Sequence, residues 1–224
     1  YDNNYDVSGA TEYGSGKIYH TYIRPEFRAG MVYKLDDWSS VKANFTHNTQ
    51  FIQIANNSDS GSPLDLWFPA SPNIKPQEAN QYSVGYFRNF KENTIETSVE
   101  FYYKGMNNVI DFKDNAQILF NEKLDGDIRT GKGKSYGMEI MVKKNTGRLT
   151  GFVNYTLAHT DRTIAGINNG KTYLAPNDKT HSINILGSYE LSKKWDVSAE
   201  WIFSTGTPVT YPTGRMEINA FGTL

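Results

Sequence analysis

Phe27-Arg28-Ala29-Gly30-Met31-Val32-Tyr33-Lys34-Leu35, then Asp36-Asp37-Trp38-Ser39, then Val41 through Phe51: this stretch decides the fold. In its first limb Phe27, Ala29, Met31, Tyr33 and Leu35 share one parity, and Arg28, Gly30, Val32 and Lys34 the other. Its second limb sets Val41, Ala43, Phe45, Thr49 and Phe51 against Lys42, Asn44, Thr46, Asn48 and Gln50. Successive strand side chains point to opposite faces, so each limb is a strand with one apolar and one polar face. The four residues between them form a tight turn, and the whole is a hairpin.

Six more strands carry the same pattern. Tyr82, Val84 and Tyr86 alternate with Gln81, Ser83 and Gly85, and Ile95, Val99, Phe101 and Tyr103 with Glu96, Ser98, Glu100 and Lys104. Tyr136, Met138, Ile140 and Val142 oppose Ser135, Gly137, Glu139 and Lys143; Leu149, Val153, Tyr155 and Leu157 oppose Thr150, Asn154 and Thr156, with Phe152 interrupting the polar face. The last two are Ile183, Ile185, Tyr189 and Leu191, then Trp195, Val197, Ala199, Trp201 and Phe203.

The eight strands form four hairpins with short turns at Asp36 to Ser39, Lys91 to Asn93, Asn145 to Gly147 and Ser192 to Lys194. Long polar loops are expected from about Gln53 to Ala79, Lys113 to Gly131 and Asp161 to Lys179. Hairpin connections usually take about 2–5 residues, so three loops near ~20, all at one end, need a reason. Short turns at one rim and long loops at the other define a transmembrane β-barrel. About 10 residues rising ~3.3 Å each and tilted ~45° cover roughly 23 Å, close to the lipid-facing band of such barrels. Tyr33, Trp38, Phe90, Tyr189 and Trp195 near the short turns suit an interfacial belt. A soluble β-sandwich also alternates, but it does not need eight strands this long or loops segregated by end.

Composition agrees with this reading and excludes others. The 224 residues carry 23 Lys+Arg against 24 Asp+Glu, a net charge of −1, with no basic block for nucleic acid. With no Cys, disulfide scaffolds, thiolate metal sites and thiol catalysis are all excluded. No apolar run exceeds three residues, which rules out a spanning helix and leaves spanning strands open. On the inner face Arg24, Glu26, Arg28, Lys34, Lys42, Glu96, Glu100, Lys104, Glu139, Lys143, Asp196 and Glu200 mix both signs, as a wet or filled lumen allows.

Counting direction through the hairpins places the first strand descending from the loop rim and the eighth returning to it. Both chain ends then lie on the loop side, and the chain closes on Phe221-Gly222-Thr223-Leu224 without a terminal aromatic residue. Residues 1–224 are therefore expected to be an internal piece of a larger barrel, with no plug domain among them.

Several passages together carry a family resemblance. Trp67-Phe68-Pro69 through Ile74-Lys75-Pro76-Gln77 into Gln81-Tyr82-Ser83-Val84-Gly85-Tyr86 is one. Gly133-Lys134-Ser135-Tyr136-Gly137-Met138-Glu139 is another, followed by Gly147-Arg148-Leu149-Thr150-Gly151 and Asn154-Tyr155-Thr156-Leu157. Pro176-Asn177-Asp178-Lys179-Thr180-His181 opens a later strand, and together these passages resemble TonB-dependent outer-membrane receptors, with Bacteroidetes-type members the nearest in wording. The resemblance implies a barrel of about 22 strands closed by a plug, in the outer membrane of a Gram-negative bacterium. It further implies energised uptake of a nutrient (glycan, peptide or metal chelate). The partners implied are outer-membrane lipid, the rest of the barrel and its plug, the TonB complex, and a surface lipoprotein as a further candidate.

No cofactor, metal or catalytic residue is expected. Gly126-Asp127-Ile128-Arg129-Thr130-Gly131-Lys132 spells most of a phosphate loop, but Gly133 replaces the hydroxyl residue and a strand follows where a helix should. His159, Asp161, Asp178 and His181 could meet at the loop rim as a metal or hydrolase site. Polar strand ends facing water explain them more simply. A passive porin and a barrel hydrolase are the alternatives to a receptor. For ligand contact the choice falls on loop aromatics and amides, Asp65, Trp67, Asn168, Asn169, Tyr173 and Tyr211, because rings stack on sugars or chelates and amides pair hydrogen bonds.

Overall fold

The computed structural model describes residues 20–55, 66–114, 116 and 124–209. Asp65 and Tyr211 lie outside the described residues. The strands are β1 (Phe27–Lys34), β2 (Ser39–Gln50), β3 (Ile52–Ala55), β4 (Leu66–Pro69), β5 (Gln77–Phe90), β6 (Ile95–Phe112), β7 (Ile128–Lys144), β8 (Leu149–Ile164), β9 (Tyr173–Leu174), β10 (His181–Ser192) and β11 (Trp195–Ser204). The eight long strands form one antiparallel meander in the order β1-β2-β5-β6-β7-β8-β10-β11, and β9 adds to β8. Among the described residues β1 and β11 each have one ladder partner, so the sheet has two open edges.

Each expected hairpin is present, and the register shows why. Following the pairs across the sheet, Met31, Ala43, Val84, Phe101, Met138 and Leu157 form one continuous row. The next row down is Tyr33, Val41, Tyr86, Val99, Ile140, Tyr155, Ile183 and Phe203. Phe101 and Trp201 on this face are more than half exposed. An apolar face of this extent is not stable in water, and in a barrel it is the lipid face. Its centre moves from the row of Met31 on β1 to the row of Ala199 on β11, three rows lower. Three rows of ~6.6 Å over seven strand steps of ~4.8 Å give a strand tilt of roughly 30°, near the 35–45° of closed barrels.

The opposite face carries Lys42, Glu100, Glu139 and Thr156 in one row. Glycines on this lumen face make room for large neighbours: the Tyr102 ring lies across Gly137, and Phe87 and Glu100 close over Gly85. Lys42 rests its ammonium 4.0 Å from the centre of the Phe87 ring. Arg24 departs from the expected inner face: its guanidinium reaches Glu78 at 2.9 Å, on the side that carries Tyr82.

The short-turn rim is tied turn to turn. Asp36 accepts from the Trp38 N–H and the Ser39 hydroxyl, both at 2.7 Å, closing the first turn. Those two donors, Ser39 first, hold the Asp36 carboxyl below its ordinary range. Asn145 donates to Glu96 at 2.7 Å and its N–H to the Thr94 carbonyl at 2.9 Å, joining two neighbouring turns. Arg148 donates to the Glu190 and Leu191 carbonyls, joining the next.

The long-loop rim departs from expectation. β7 begins at Ile128, inside the expected Lys113–Gly131 loop, and β8 continues past Asp161 to Ile164, while β6 ends at Phe112, where that loop is expected to begin. The expected loop from Gln53 to Ala79 contains the β3–β4 hairpin. A bulge at Asn108, held at φ 57 with its amide donating to the Pro76 carbonyl, shifts the β6–β7 register. Beyond it Ile110, Phe112 and Ile128 pack with Ala55, Phe68 and Ile74, so the β3–β4 hairpin covers the outer side. Val109, Ile164 and Ile167 pack together with Met106 and Tyr173 on the inner side. Above the lipid the wall is a sheet covered on both faces by its own loops.

Candidate functional site

The candidate site lies at the loop-rim end of the lumen face. Its ordered centre is Asp111, one oxygen of which accepts from the Tyr173 hydroxyl at 2.8 Å and from Arg162 at 3.2 Å. Tyr173 stands opposite Arg162 in the β8–β9 pair, so three segments meet at that oxygen. Burial, and then the Asp111 charge, push the Tyr173 hydroxyl far above its usual range, which keeps it a neutral donor. The cluster latches the 165–175 loop to β6. Replacing Tyr173 by Phe removes one of the two donors to that Asp111 oxygen while keeping the ring. The expected result is faster amide hydrogen exchange in residues 165–175 with no change in β10, measured by mass spectrometry.

The candidate ligand residues do not converge. Trp67 projects from β4, opposite in parity to the buried Phe68, and is 65% exposed on the outer-side hairpin. Asn168 and Asn169 sit in a single helical turn (Asn168–Gly170) on the inner-side loop, both exposed and both at positive φ. Asn168 is held by the Asp114 carboxylate at 3.2 Å, while Tyr173 is half-buried in the latch. The wall of β6 and β7 separates Trp67 from the Asn168–Tyr173 group. The Asp111–Arg162–Tyr173 latch was not foreseeable from spacing, since its members are up to 62 residues apart.

His159, Asp161, Asp178 and His181 do not form one centre. His159 packs against Tyr136 with its Nε2 3.6 Å from Asp161, whereas His181 Nδ1 is 2.9 Å from the Tyr155 hydroxyl. Asp178 accepts the Thr160 N–H at 2.5 Å, and the Thr180 hydroxyl donates to it at 3.4 Å, fixing the entry to β10. Among the described residues no group of three or more His, Asp or Glu is arranged to hold a metal ion. The stretch that spells a phosphate loop is a short helical turn (Leu124–Asp127) running directly into β7. The Ile74-Lys75-Pro76 passage is also structural: Ile74 is buried, and the carbonyls of Lys75 and Pro76 accept Gln53 and Asn108.

The lumen wall below the latch has a like-charge pair, with Glu100 and Glu139 directly opposite in the ladder. Nearer the short turns Lys34, Asp36, Lys42, Phe87, Glu96 and Met141 line an open cleft on the same face. Such a surface of mixed charge matches a barrel interior.

A family model described as TonB dependent receptor-like, β-barrel, matches residues 3–224. Among solved structures the chain is similar to the ferric-catecholate import receptor Fiu of E. coli K12 in its closed form, at 20% identity and TM-score 0.52 over 77% of this chain and 23% of that one. It is similar to the FpvAI–pyocin S2 complex at 15% identity and TM-score 0.54, over 80% and 25% of the two chains. P. aeruginosa FpvA bound to heterologous pyoverdines gives 17% identity and TM-score 0.52, over 79% and 24%. At these identities the likeness shows the fold. The chain spans about a quarter of the length of these receptors. No curated protein matches the sequence. The organisms named lend no support to a Bacteroidetes-type origin.

Proposed function

Because this chain belongs to the TonB-dependent receptor family and forms part of its outer-membrane β-barrel, we propose that it is wall and vestibule of a receptor for energised nutrient uptake. It is a transporter segment and not an enzyme. The observation that carries the proposal is the family match over residues 3–224, on a meander whose one face is apolar and whose other is charged. The rest of the barrel, a plug filling its lumen and the TonB complex are the partners this reading requires.

Of the three nutrient classes, a metal chelate is the first to test. Fiu is described as a ferric-catecholate import receptor, and FpvA is described in a complex with pyoverdine and iron. Trp67, Asn168 and Asn169 are proposed as contacts, supported by their exposure; Asp65, Tyr173 and Tyr211 complete the proposed set. A Bacteroidetes-type affinity and a surface lipoprotein partner rest on the sequence passages alone.

Cells carrying the full receptor should accumulate iron from a radiolabelled ferric catecholate or ferric pyoverdine, and lose that uptake when TonB is deleted. Uptake that persists without TonB contradicts the energised reading and favours passive diffusion. Binding of neither chelate, with TonB-dependent uptake of an oligosaccharide or peptide, keeps the receptor and changes the nutrient class.

A further inference from the structure

The outer face carries a second aromatic belt, at the rim opposite the short turns. Register places Phe45, Tyr82, Tyr103, Tyr136 and His159 in one row across five strands. The rings of Phe45 and Tyr82 lie tilted against each other with centres 5.1 Å apart, and those of Tyr136 and His159 likewise at 5.2 Å. Amphipathic rings in a row mark the level where hydrocarbon gives way to headgroups. Directly beneath lie Val84, Phe101 and Met138, a surface for acyl chains.

The row immediately above is polar and has a gap. It runs Asn80, Gly105, Lys134 and Asp161, and the row beyond it runs Glu78, Asn107 and Lys132. A side chain at Gly105 would meet only the Tyr103 ring, at 3.7 and 3.9 Å, so the position is a recess floored by backbone. Lys132 and Lys134 flank it on one side, and the amide of Asn80 stands on the other. Lys134 is half exposed, with its carboxylate neighbour Asp161 at 3.7 Å. The other acidic residue, Glu78, is engaged by Arg24 at 2.9 Å. Arg24, Lys132 and Lys134 against Glu78 and Asp161 leave one positive charge in excess, and Lys132 has no carboxylate partner among the described residues. The recess therefore offers two ammonium groups and amide donors to an anion, at headgroup height, on the side away from the lumen.

We propose that this recess binds a phosphate group of a phosphorylated outer-leaflet glycolipid. Ammonium groups serve as point charges toward phosphate, and Asn80 and the tyrosine hydroxyls add neutral donors. The phosphate sits over Gly105 and the acyl chains descend along Tyr103 and Phe101. A transported nutrient passes through the lumen and does not reach this face, so the site anchors lipid and does not read cargo. The assignment depends on which face meets lipid and is independent of the nutrient class.

The full receptor, purified in a neutral detergent, is tested with diphosphorylated lipid A, the same lipid after enzymatic dephosphorylation, and inorganic phosphate. Native mass spectrometry of the unmodified protein should show a retained adduct with the phosphorylated lipid, at least tenfold more abundant than with the dephosphorylated one. The K132Q/K134Q variant should lose most of that difference, whereas Lys104→Gln, altering a lumen-facing lysine on the same strand as Gly105, should keep it. Millimolar inorganic phosphate should not displace the lipid. Equal retention of both lipids by the unmodified protein overturns the proposal, with or without a folded double variant. So does full displacement by inorganic phosphate, which would indicate a free-anion site.

Discussion

Replacing Ile140 by Arg should destabilise the receptor barrel by about 2–4 kcal/mol, while the same change at the adjacent Met141 should cost less than about 0.5 kcal/mol. Ile140 lies between Val99 and Tyr155 in the middle of the apolar rows. A guanidinium there must be carried into hydrocarbon or snorkel past Met138 and Tyr136 on one side or Val142 on the other to reach the interface. Met141 lies between Ser98 and Asn154 and lines the lumen cleft, where water solvates an added charge. Urea titration of the barrel folded into vesicles, followed by tryptophan fluorescence, measures both. A soluble sandwich would penalise Ile140→Arg as a buried charge and would tolerate arginine at Met141 on its solvent face, so folding into vesicles, and not the pair of substitutions, separates the two readings.

The second large effect concerns two glycines that face each other. Gly151 and Gly187 are ladder partners between β8 and β10, yet their surroundings differ completely. A Cβ on Gly151 would fall 2.0 Å from the Leu186 carbonyl oxygen and 3.0 Å from the Gly187 Cα, both backbone atoms, and its φ of 150 already lies outside the usual range of L residues. Nothing lies within 4 Å of the corresponding position on Gly187. Gly151→Ala should therefore cost about 2–4 kcal/mol by forcing the two strands apart, and Gly187→Ala close to nothing. The same urea titration compares them. Equal effects would mean that the β8–β10 register is not the one described.

The membrane-embedded half of the fold is legible in the sequence because lipid and lumen impose opposite chemistry on alternate residues. Met31, Tyr33 and Leu35 cannot exchange faces with Gly30, Val32 and Lys34 without turning the whole strand over. The turns are equally readable, since Asp36 supplies its own side-chain closure. Above the membrane the signal vanishes for a physical reason. Val109 faces the inner loop and Ile110 the outer hairpin, both are buried, and adjacent apolar residues on opposite faces replace the alternation of a half-exposed strand. The Asn108 bulge then reverses the parity of β6, and the first residues of β7 after Ile128, Arg129-Thr130-Gly131-Lys132-Gly133-Lys134, include no apolar side chain to mark an alternation.

The candidate site was less legible than the fold. Trp67 and Asn169 are exposed as a ligand contact must be, but their separation by the β6–β7 wall is a matter of which side each loop packs on, and spacing carries no such information. Tyr173 attracts attention as a loop aromatic and instead supplies a hydroxyl to Asp111. The outer aromatic belt escapes a strand-by-strand reading as well. Phe45, Tyr82, Tyr103 and Tyr136 form a row only once the register is known.

The central claim is that one parity of this sheet faces lipid and the other a hydrated lumen, and the chain is suited to a direct test because it contains no cysteine of its own. Single cysteines placed one at a time from Tyr136 to Lys143 on β7 of the full receptor, spin-labelled and reconstituted in bilayers, can be read by power saturation against oxygen and a water-soluble nickel chelate. The account predicts strict alternation, with oxygen dominant at positions 136, 138, 140 and 142 and nickel dominant at 137, 139, 141 and 143. Uniform accessibility along β7, or alternation in the opposite phase, would contradict it.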